Sequence, residues 1–424
     1  MNTYKICVIG LGYVGLPLAR LFSTKYQTVG FDMNQARVDA LNNGHDATLE
    51  VSDELLQAAI KNGFKCSTQL NDIRDCNVYI VAVPTPVDEN NRPDLKPLWG
   101  ASETVGKVIT KGDIVIYEST VYPGVTEEEC LPVVERVSGL KFNVDFFAGY
   151  SPERINPGDK EHTVEKIKKV TSGSTPEIAD IVDSLYNSVL VNGTHKAPSI
   201  KVAEASKIIE NSQRDVNIAF MNELAKIFNA MGIDTHDVIE AASSKWNFIK
   251  LNPGLVGGHC ISVDPYYLIQ KAQVYGVLPR IMFSARRLND SMGAYVAEQT
   301  IKCMNKKGAI VKDANILLLG ITFKENCPDV RNTKVVDIYH TLLEYTGNIT
   351  IYDPWANQET VKHEYALNCT NDWDAVKAKK YDAIILAVAH KQFRDINFRE
   401  MLAPNGVVYD VKGVLPREQV DARL

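Results

Sequence analysis

The amino-acid sequence predicts an α/β protein with two Rossmann-like doubly wound domains, joined by a long central helix and a helical middle domain. A glycine loop follows the first apolar strand and opens a helix. The stretch from residue 199 to about residue 231 has no glycine or proline, and a second series of strands and helices follows it. Strands that alternate with helices favour a parallel sheet covered on both faces.

The first glycine loop carries the spacing of a dinucleotide-binding fingerprint, Gly10-Leu11-Gly12-Tyr13-Val14-Gly15. Its glycines allow a tight turn, close approach of a pyrophosphate and close packing of the helix on the sheet. Asp32 ends the next predicted strand, where an acidic side chain binds the ribose hydroxyls and disfavours a 2′-phosphate. The pattern therefore predicts NAD rather than NADP, against the alternative of a glycine turn without a ligand.

Residues 1–198 form the predicted NAD-binding domain, with strands at residues 5–9, 28–32, 77–83, 113–118 and 144–150. Thr85 and Thr120 follow two of these strands, at the edge where ligands of such sheets bind. They are candidate contacts to the cofactor or to water. Taken alone, each threonine also fits ordinary turn chemistry.

The long helix, at 1.5 Å per residue, would extend about 45 Å and could bridge two domains. Lys207, Asn211 and Arg214 lie at i, i+4 and i+7 along it, so they share one face. This face either lines an anionic site or is solvated. Spacing alone favours the solvated face.

Residues 199–300 form the predicted middle domain, in which an irregular loop carries Cys260 after Gly257, Gly258 and His259. The glycines permit close backbone approach. His259 and the helix that begins near Pro265 offer the electropositive surroundings that lower a thiol pKa. A buried structural thiol is the alternative. Asp264 precedes the proline and fits a helix N-cap, which is compatible with a second role beside the cysteine.

Residues 301–424 form the third predicted domain, with strands at residues 315–320, 349–353, 383–388 and 407–410. Its order of strand, loop, helix and strand ending in aspartate repeats that of the first domain. A second nucleotide-sized domain is therefore expected.

The composition is that of a globular protein, with 424 residues, 45% of them hydrophobic, and a formal net charge of −6. No basic run suggests nucleic-acid binding, no apolar stretch suggests a membrane span, and no signal peptide is recognisable. The eight cysteines are dispersed, without the spacing of metal ligands. We therefore expect no metal and a reducing, cytoplasmic location.

Five blocks of the chain resemble the nucleotide-sugar 6-dehydrogenases, the family of UDP-glucose and GDP-mannose dehydrogenases. They are Glu-Ser-Thr-Val-Tyr-Pro-Gly (118–124), Ser-Pro-Glu-Arg-Ile-Asn-Pro-Gly (151–158), Glu-Asn-Ser-Gln-Arg-Asp-Val-Asn-Ile-Ala (210–219), Gly-Gly-His-Cys-Ile-Ser-Val-Asp-Pro-Tyr-Tyr (257–267) and Thr-Phe-Lys-Glu-Asn-Cys-Pro-Asp-Val-Arg-Asn-Thr (322–333). The fourth block is similar to the branch that acts on UDP-N-acetylhexosamines, that is UDP-GlcNAc and UDP-GalNAc.

The resemblance implies an N-terminal NAD domain, a central region that forms a homodimer, and a C-terminal UDP-binding domain. It implies Cys260 as the nucleophile, with the catalytic residues Lys207, Asn211, Asp264, Glu153 and Thr120 around it. Implied cofactor contacts are Gly10, Gly12, Tyr13, Val14, Gly15, Asp32, Arg37, Thr85, Thr120 and Arg331. Implied UDP-sugar contacts are Arg154, Ile155, Lys207, Asn211, Arg214, Gly257, Lys324 and Lys412. Residues 244–250, where the family varies, are left without a role.

The implied reaction is a four-electron oxidation by NAD of the C6 hydroxyl of a UDP-N-acetylhexosamine. It would pass through a thiohemiacetal and a thioester on Cys260 and supply surface polysaccharide synthesis. One alternative substrate is UDP-glucose, and another is UDP-ManNAc. A two-electron hydroxyacid dehydrogenase would need neither Cys260 nor the C-terminal domain. An idle NAD sensor is a third alternative, but there the loop around Cys260 should be damaged.

Overall fold

A parallel sheet with one reversed edge forms the centre of the N-terminal unit in this computed structural model, which describes residues 4–88, 92–154, 163–258 and 260–424. Its strands within those residues are β1 (Lys5–Ile9), β2 (Gln27–Phe31), β3 (Lys65–Ser67), β4 (Val78–Val81), β5 (Ile114–Tyr117), β6 (Phe147–Tyr150), β7 (Lys169–Gly173) and β8 (Thr194–Lys196). The order is β3-β2-β1-β4-β5-β6-β7-β8, and β6 and β7 are antiparallel. The winding reverses between β1 and β4, as in a dinucleotide-binding sheet.

Helices cover both faces of this sheet. They are α1 (Gly15–Phe22), α2 (Gln35–Asn42), α3 (Asp53–Lys61), α4 (Lys96–Gly106), α5 (Leu131–Ser138) and α6 (Pro176–Val189). Side chains of β1 alternate between two cores: Cys7 and Ile9 pack on one face, and Ile6 and Val8 on the other. A strand with both faces buried reads as a continuous apolar run, which is why it was recognisable in the sequence.

The long helix predicted from the glycine-free stretch is confirmed as α7 (Ile200–Met231). It ends before Gly232, whose φ of +72° suits glycine far better than other residues. The chain divides into two compact units, Met1–Glu210 with Tyr266–Tyr275, and Asn211–Pro265 with Gly276–Leu424. The three domain boundaries drawn from the sequence stay a prediction.

More helices follow α7, as expected, and a second parallel sheet lies in the C-terminal unit. The helices are α8 (Thr235–Ser243), α9 (Asp264–Val274), α10 (Arg280–Asp290), α11 (Met292–Lys307), α12 (Val335–Leu343), α13 (Gln358–Tyr365) and α14 (Trp373–Lys377). The strands are β9 (Ile316–Leu319), β10 (Ile349–Tyr352), β11 (Tyr381–Leu386), β12 (Leu402–Asp410) and β13 (Ala422–Arg423).

The second sheet has the order β10-β9-β11-β12-β13, and all its strand pairs are parallel. This is the other common doubly wound order, with its switch point between β9 and β11. The predicted fold class is thereby confirmed. Within the described part of the chain, no helix combines the length and apolarity that a membrane crossing requires.

Candidate active site

The first glycine loop has the geometry of a pyrophosphate site. Gly10 has a φ of +91°, and a Cβ on Gly15 would stand 1.7 Å from the carbonyl oxygen of Gly10, so only glycine fits either position. Around Gly12, by contrast, a Cβ would meet no atom within 4 Å. Val14 precedes α1 without a side-chain cap, so the helix N-terminus is available to an anion. Tyr13 lies in the same loop. These residues fit a dinucleotide.

Asp32 and Arg37 both bind the backbone of Leu11 in this loop. The Asp32 carboxylate accepts hydrogen bonds from the N–H groups of Leu11 (2.9 Å) and Asn34 (2.9 Å). The Arg37 guanidinium donates to the carbonyl oxygen of Leu11 (2.8 and 3.0 Å) and pairs with Asp46 (2.7 Å). Arg37 thus stabilises the glycine loop, a role that the sequence did not predict. Its predicted contact with the cofactor stays a prediction.

Thr85 and Thr120 follow β4 and β5, at the same carboxyl edge of the sheet as the glycine loop. The carbonyl oxygen of Thr85 accepts a hydrogen bond of 2.6 Å from the Tyr267 hydroxyl, which fixes this turn. Thr120 is only partly buried. Both threonines therefore lie where ligands of doubly wound sheets bind.

Glu153 and Arg154 follow β6 at this edge. The backbone N–H of Arg154 donates to Glu153 Oε1 (2.5 Å), and the Arg154 guanidinium donates to the Lys168 carbonyl oxygen (2.9 Å) and pairs with Glu210. Ile155, another predicted substrate contact, lies outside the described residues.

The polar face of α7 is not the solvated face that spacing alone favoured. Lys207 and Asn211 are 7% and 8% exposed, whereas Arg214 is exposed. In the described part of the chain, the Lys207 ammonium has no hydrogen-bond or ion-pair partner. A buried, uncompensated ammonium is costly unless it serves a ligand. The solvated-face interpretation is therefore wrong for the first two residues.

The loop that carries Cys260 is held close to its neighbours. Gly257 packs so tightly that a Cβ there would stand 2.6 Å from the carbonyl oxygen of Asn332, and Gly258 has a φ of +86°. Cys260 is partly exposed. Its carbonyl oxygen accepts the backbone N–H of Asp264 at 2.8 Å. The close backbone approach that the glycines were predicted to permit is therefore between this loop and other parts of the protein. His259 lies outside the described residues.

Asp264 and Asn211 meet directly, since the Asn211 amide donates to Asp264 Oδ2 at 2.5 Å. The Asp264 side chain is 3% exposed. Asp264 is the first residue of α9 rather than the residue before it, a difference of one position from the expected N-cap. Two predicted catalytic residues, distant in sequence, thus form one hydrogen-bonded pair one turn after Cys260.

A buried network anchors this loop at both ends. The Arg286 guanidinium donates to Asp215 (2.8 Å) and to the carbonyl oxygen of Ile261 (3.2 Å). The Asn222 amide pairs with the backbone of Gly254 through two hydrogen bonds of 2.8 and 3.0 Å. Burial raises the pKa of Asp215 to about 6, although Arg286 acts against that rise.

A pocket in the C-terminal unit collects three predicted substrate residues, Gly257, Lys324 and Lys412. Residues 322–325 follow β9, residues 387 and 388 follow β11, and all of them line it. The pocket therefore lies at the switch point of the second sheet, where doubly wound folds bind ligands. Arg331 lies in this unit too, with its guanidinium held by Asp329 (2.6 Å).

Sequence reasoning missed three buried groups around Glu153, namely Glu118, Lys169 and Tyr186. Lys169 Nζ lies 2.6 Å from Glu118 Oε2, and both side chains are almost fully buried. A charged residue beginning a strand gives no local signal of burial. Lys169 and its partner Glu118 are 51 positions apart, so only the folded chain brings the pair together.

Comparison with known proteins identifies the family of the chain. Three domain models of the UDP-glucose/GDP-mannose dehydrogenase family match the chain: the NAD binding domain at residues 4–190, the central domain at 201–291 and the UDP binding domain at 317–417. The chain belongs to this family. It is an NAD-dependent dehydrogenase of UDP-sugars, as its two nucleotide domains imply.

Individual members of the family are similar to this chain over its whole length. A UDP-N-acetyl-D-glucosamine 6-dehydrogenase of Pseudomonas aeruginosa is 58% identical over 100% of both chains. A protein of the same name from Salmonella typhi is 54% identical, over 100% of this chain and 99% of the relative. The solved structure of a UDP-D-ManNAc dehydrogenase from Pyrococcus horikoshii is 29% identical, covers 99% of this chain and 98% of that one, and has a TM-score of 0.89.

Proposed function

We propose that the enzyme converts a UDP-N-acetylhexosamine, with 2 NAD⁺ and H₂O, to the UDP-N-acetylhexosaminuronate and 2 NADH. UDP-N-acetyl-D-glucosamine is the substrate that the names of the Pseudomonas aeruginosa and Salmonella typhi relatives give. The observation that carries the proposal is the partly exposed Cys260 beside the Asn211–Asp264 pair. A simple alcohol dehydrogenase needs no such thiol. The product would be a precursor for surface polysaccharide.

NAD, when bound, accepts the hydride in each of the two oxidations. Gly10, Gly12 and the N-terminus of α1 would hold its pyrophosphate, and Asp32 its adenosine ribose. Since Arg37 is engaged by Leu11 and Asp46, it is poorly placed to receive a 2′-phosphate. Thr85, Thr120 and Arg331 are proposed as further contacts.

Cys260 would carry the substrate between the two oxidations. The first oxidation removes a hydride from C6 and the hydroxyl proton, which leaves an aldehyde. The Cys260 thiolate then adds to the aldehyde carbon, and a proton on the oxygen gives a thiohemiacetal. Loss of a second hydride and that proton gives a thioester. Water cleaves the C–S bond, so that the uronate leaves and the thiol is restored. Covalent capture also keeps a reactive aldehyde from escaping.

Lys207 and Asn211 are proposed to stabilise the oxyanion that develops at C6. The Asn211 amide has two N–H groups, of which one already donates to Asp264, so the other remains for the substrate. One such donor is typically worth about 3 kcal/mol of transition-state stabilisation. Asp264, with Glu153 and Thr120 acting through water, would take up and return the protons.

The uridine diphosphate is proposed to bind in the pocket at the switch point of the second sheet. The ammonium groups of Lys324 and Lys412 would neutralise phosphate charge there. Gly257 leaves no side chain between them and the ligand. Arg154, Ile155 and Arg214 are proposed as the remaining contacts to the UDP-sugar.

A homodimer is proposed to form through α7. Five apolar side chains along this helix fall within about 40° of one another at about 100° per residue, and each is 45% to 63% exposed: Val202, Ile209, Phe220, Ile227 and Met231. Lys207 and Asn211 point to the opposite side of the helix. A large apolar stripe left open to water favours association with a second copy of the chain.

A substrate panel tests the proposal. The purified enzyme is mixed with NAD and, separately, with UDP-GlcNAc, UDP-GalNAc, UDP-ManNAc and UDP-glucose, and kcat/KM is measured from the NADH absorbance. We expect the highest value with UDP-GlcNAc. A preference for UDP-glucose would contradict the N-acetylhexosamine proposal, whereas a preference for UDP-GalNAc or UDP-ManNAc would change only the configuration of the sugar.

A further inference from the structure

A buried cluster of three titratable side chains lies directly behind Glu153 and has no part in the mechanism so far. Glu118 follows β5, Lys169 begins β7, and Tyr186 belongs to α6. Lys169 Nζ donates to Glu118 Oε2 (2.6 Å), and the Tyr186 hydroxyl donates to Glu118 Oε1 (2.5 Å). All three side chains are at most 1% exposed, so water does not screen their charges.

The cluster binds the Glu153 segment at three points. Lys169 Nζ donates to the carbonyl oxygen of Pro152 (3.1 Å) and lies 3.7 Å from Glu153 Oε2. The backbone N–H of Glu153 donates to the carbonyl oxygen of Glu118 (3.3 Å). Backbone and carboxylate of Glu153 are therefore both fixed by residues from neighbouring strands.

One ammonium faces two carboxylates in this cluster. Burial raises the pKa of Glu118 to about 7, with Lys169 acting against the rise and Glu153 adding to it. Burial would lower the pKa of Lys169, but Glu118 and Glu153 outweigh burial and raise it. Among the described residues, Arg154 is a further charge near the lysine, and Glu210 pairs with it. The lysine thus stays charged, and the two carboxylates compete for it.

We propose that Lys169, Glu118 and Tyr186 are positioning residues that hold the Glu153 carboxylate and set the pH above which it accepts a proton. The inference rests on the proposed role of Glu153 as a proton acceptor through water. The Lys169 ammonium attracts the Glu153 carboxylate, because opposite charges attract strongly where water is excluded. Glu118 repels that carboxylate and competes with it for the one ammonium, because the two carboxylates carry like charge.

Lys169 and Glu118 carry opposite charges, so removing one or the other should move the acid limb of the pH profile in opposite directions. A merely structural role of these residues would not produce opposite movements. In Lys169→Met, Glu153 loses the positive charge of the nearby ammonium, so the acid limb of kcat/KM against pH should move up by about one unit or more. In Glu118→Gln, the competing carboxylate is gone, so the acid limb should move down. Tyr186→Phe removes a hydrogen-bond donor to Glu118, so Glu118 is protonated more readily and competes less for Lys169. The acid limb should therefore move down, but by less than in Glu118→Gln.

The experiment measures kcat/KM from pH 5 to 9 for wild type and these three variants, in the full-length enzyme. Asp113→Asn is the matched control, because Asp113 is a buried carboxylate just before β5, at the opposite edge of the sheet, and is bonded to Thr110 instead. Its acid limb should stay in place. Shifts of the same sign in Lys169→Met and Glu118→Gln would overturn the proposal. Should Lys169→Met not fold, an unmoved limb in both Glu118→Gln and Tyr186→Phe would overturn it.

A direct titration separates this inference from the proposed function. Carboxyl ¹³C NMR of glutamate-labelled enzyme follows the Glu153 signal, assigned by its loss in Glu153→Gln. If that signal titrates with the predicted opposite shifts while the kinetic limb does not move, the cluster controls Glu153 but Glu153 is not the kinetic proton acceptor. If the signal titrates alike in all variants, the inference fails whatever the kinetics show.

Discussion

Leu11 is held from both sides by its neighbours, since Asp32 accepts its N–H and Arg37 donates to its carbonyl oxygen. This arrangement couples the glycine loop to the residue that would read the ribose. An arginine near this position often accommodates a 2′-phosphate. Here its guanidinium also pairs with the buried Asp46. We therefore propose that the carboxylate of Asp32 dominates the selection of NAD over NADP.

Asp32→Ala is expected to raise KM for NAD by about tenfold, which corresponds to a loss of about 1.4 kcal/mol of binding free energy. It should also narrow the preference of the enzyme for NAD over NADP. The cause is the loss of both the ribose acceptor and the repulsion of a 2′-phosphate. Steady-state kinetics with each cofactor measure it. Asp39→Ala is the control, since Asp39 is an exposed carboxylate bonded only to Gln35 among the described contacts. Equal use of NAD and NADP by wild type would refute the role of Asp32.

Lys207→Ala is expected to lower kcat by a factor of about 10² to 10³, because it removes a buried donor to the proposed oxyanion. Arg214→Ala, at an exposed position, should mainly raise KM for the UDP-sugar. Circular dichroism and a thermal melt establish that both variants fold. Near-normal turnover of Lys207→Ala would exclude the lysine from catalysis.

At the scale of elements, α7 holds the turn after Thr120 in place. Glu204, on its first turns, accepts the backbone N–H of Gly124 (2.5 Å) and of Thr126 (2.9 Å). Burial raises the pKa of Glu204 to about 7, although these two hydrogen bonds act against the rise. The helix that carries Lys207 thus also positions a ligand-side turn of the NAD domain.

The raised pKa of Glu204 predicts a pH-dependent stability. The folded state binds the proton more tightly than the unfolded chain, so this contribution is present below about pH 4.5 and is lost as pH rises through about 7. Its size is at most about 3 kcal/mol. Urea unfolding at pH 5 and pH 8 should therefore show a smaller fall of stability with pH in Glu204→Gln than in wild type. Parallel pH dependences of the two proteins would contradict the expectation.

The strands that the sequence predicted are those with apolar side chains on both faces, such as β1 and β9. The short strands β3, β7, β8 and β13 were not predicted. β7 begins with Lys169 and includes Thr171 and Ser172, and these polar side chains are buried where β6 and α6 pack against the strand. Such burial depends on partners far along the chain and leaves no local pattern.

The residues of the candidate site also fall into those that the sequence predicted and those that only the fold revealed. Motif spacing indicated the glycine loop, Asp32 and Cys260 directly. Spacing failed for Lys207 and Asn211, since only the fold tells a buried polar face from a solvated one. The Arg286–Asp215 bond behind the loop of Cys260 joins residues 71 positions apart, and no sequence pattern announces it.

At the scale of the whole molecule, the apolar stripe of α7 is the proposed dimer contact. Phe220→Glu would place a charge in the middle of that stripe, where burial against a second copy is costly. We expect the wild type to be a dimer by light scattering and Phe220→Glu to be largely monomeric. Phe220→Leu, which keeps the stripe apolar, should remain a dimer. A monomeric wild type would refute the proposed interface.

Several thiols of the chain other than Cys260 are buried or half-buried. Burial raises the pKa of Cys66, Cys76 and Cys130 to about 12, and that of Cys369 to about 11. Thiolate is the reactive form, so these thiols should react slowly with iodoacetamide. We therefore expect Cys260 to be alkylated first, and bound UDP-GlcNAc to protect it.

The count of NADH formed per UDP-sugar consumed tests the covalent mechanism most directly. Wild-type enzyme should yield two NADH per sugar and release no aldehyde, because Cys260 retains the intermediate until the second oxidation. Cys260→Ala should still bind NAD and UDP-GlcNAc, which calorimetry can establish, yet form uronate at a negligible rate. One NADH per sugar in wild type, or uronate formation by Cys260→Ala at the wild-type rate, would contradict a thioester on Cys260.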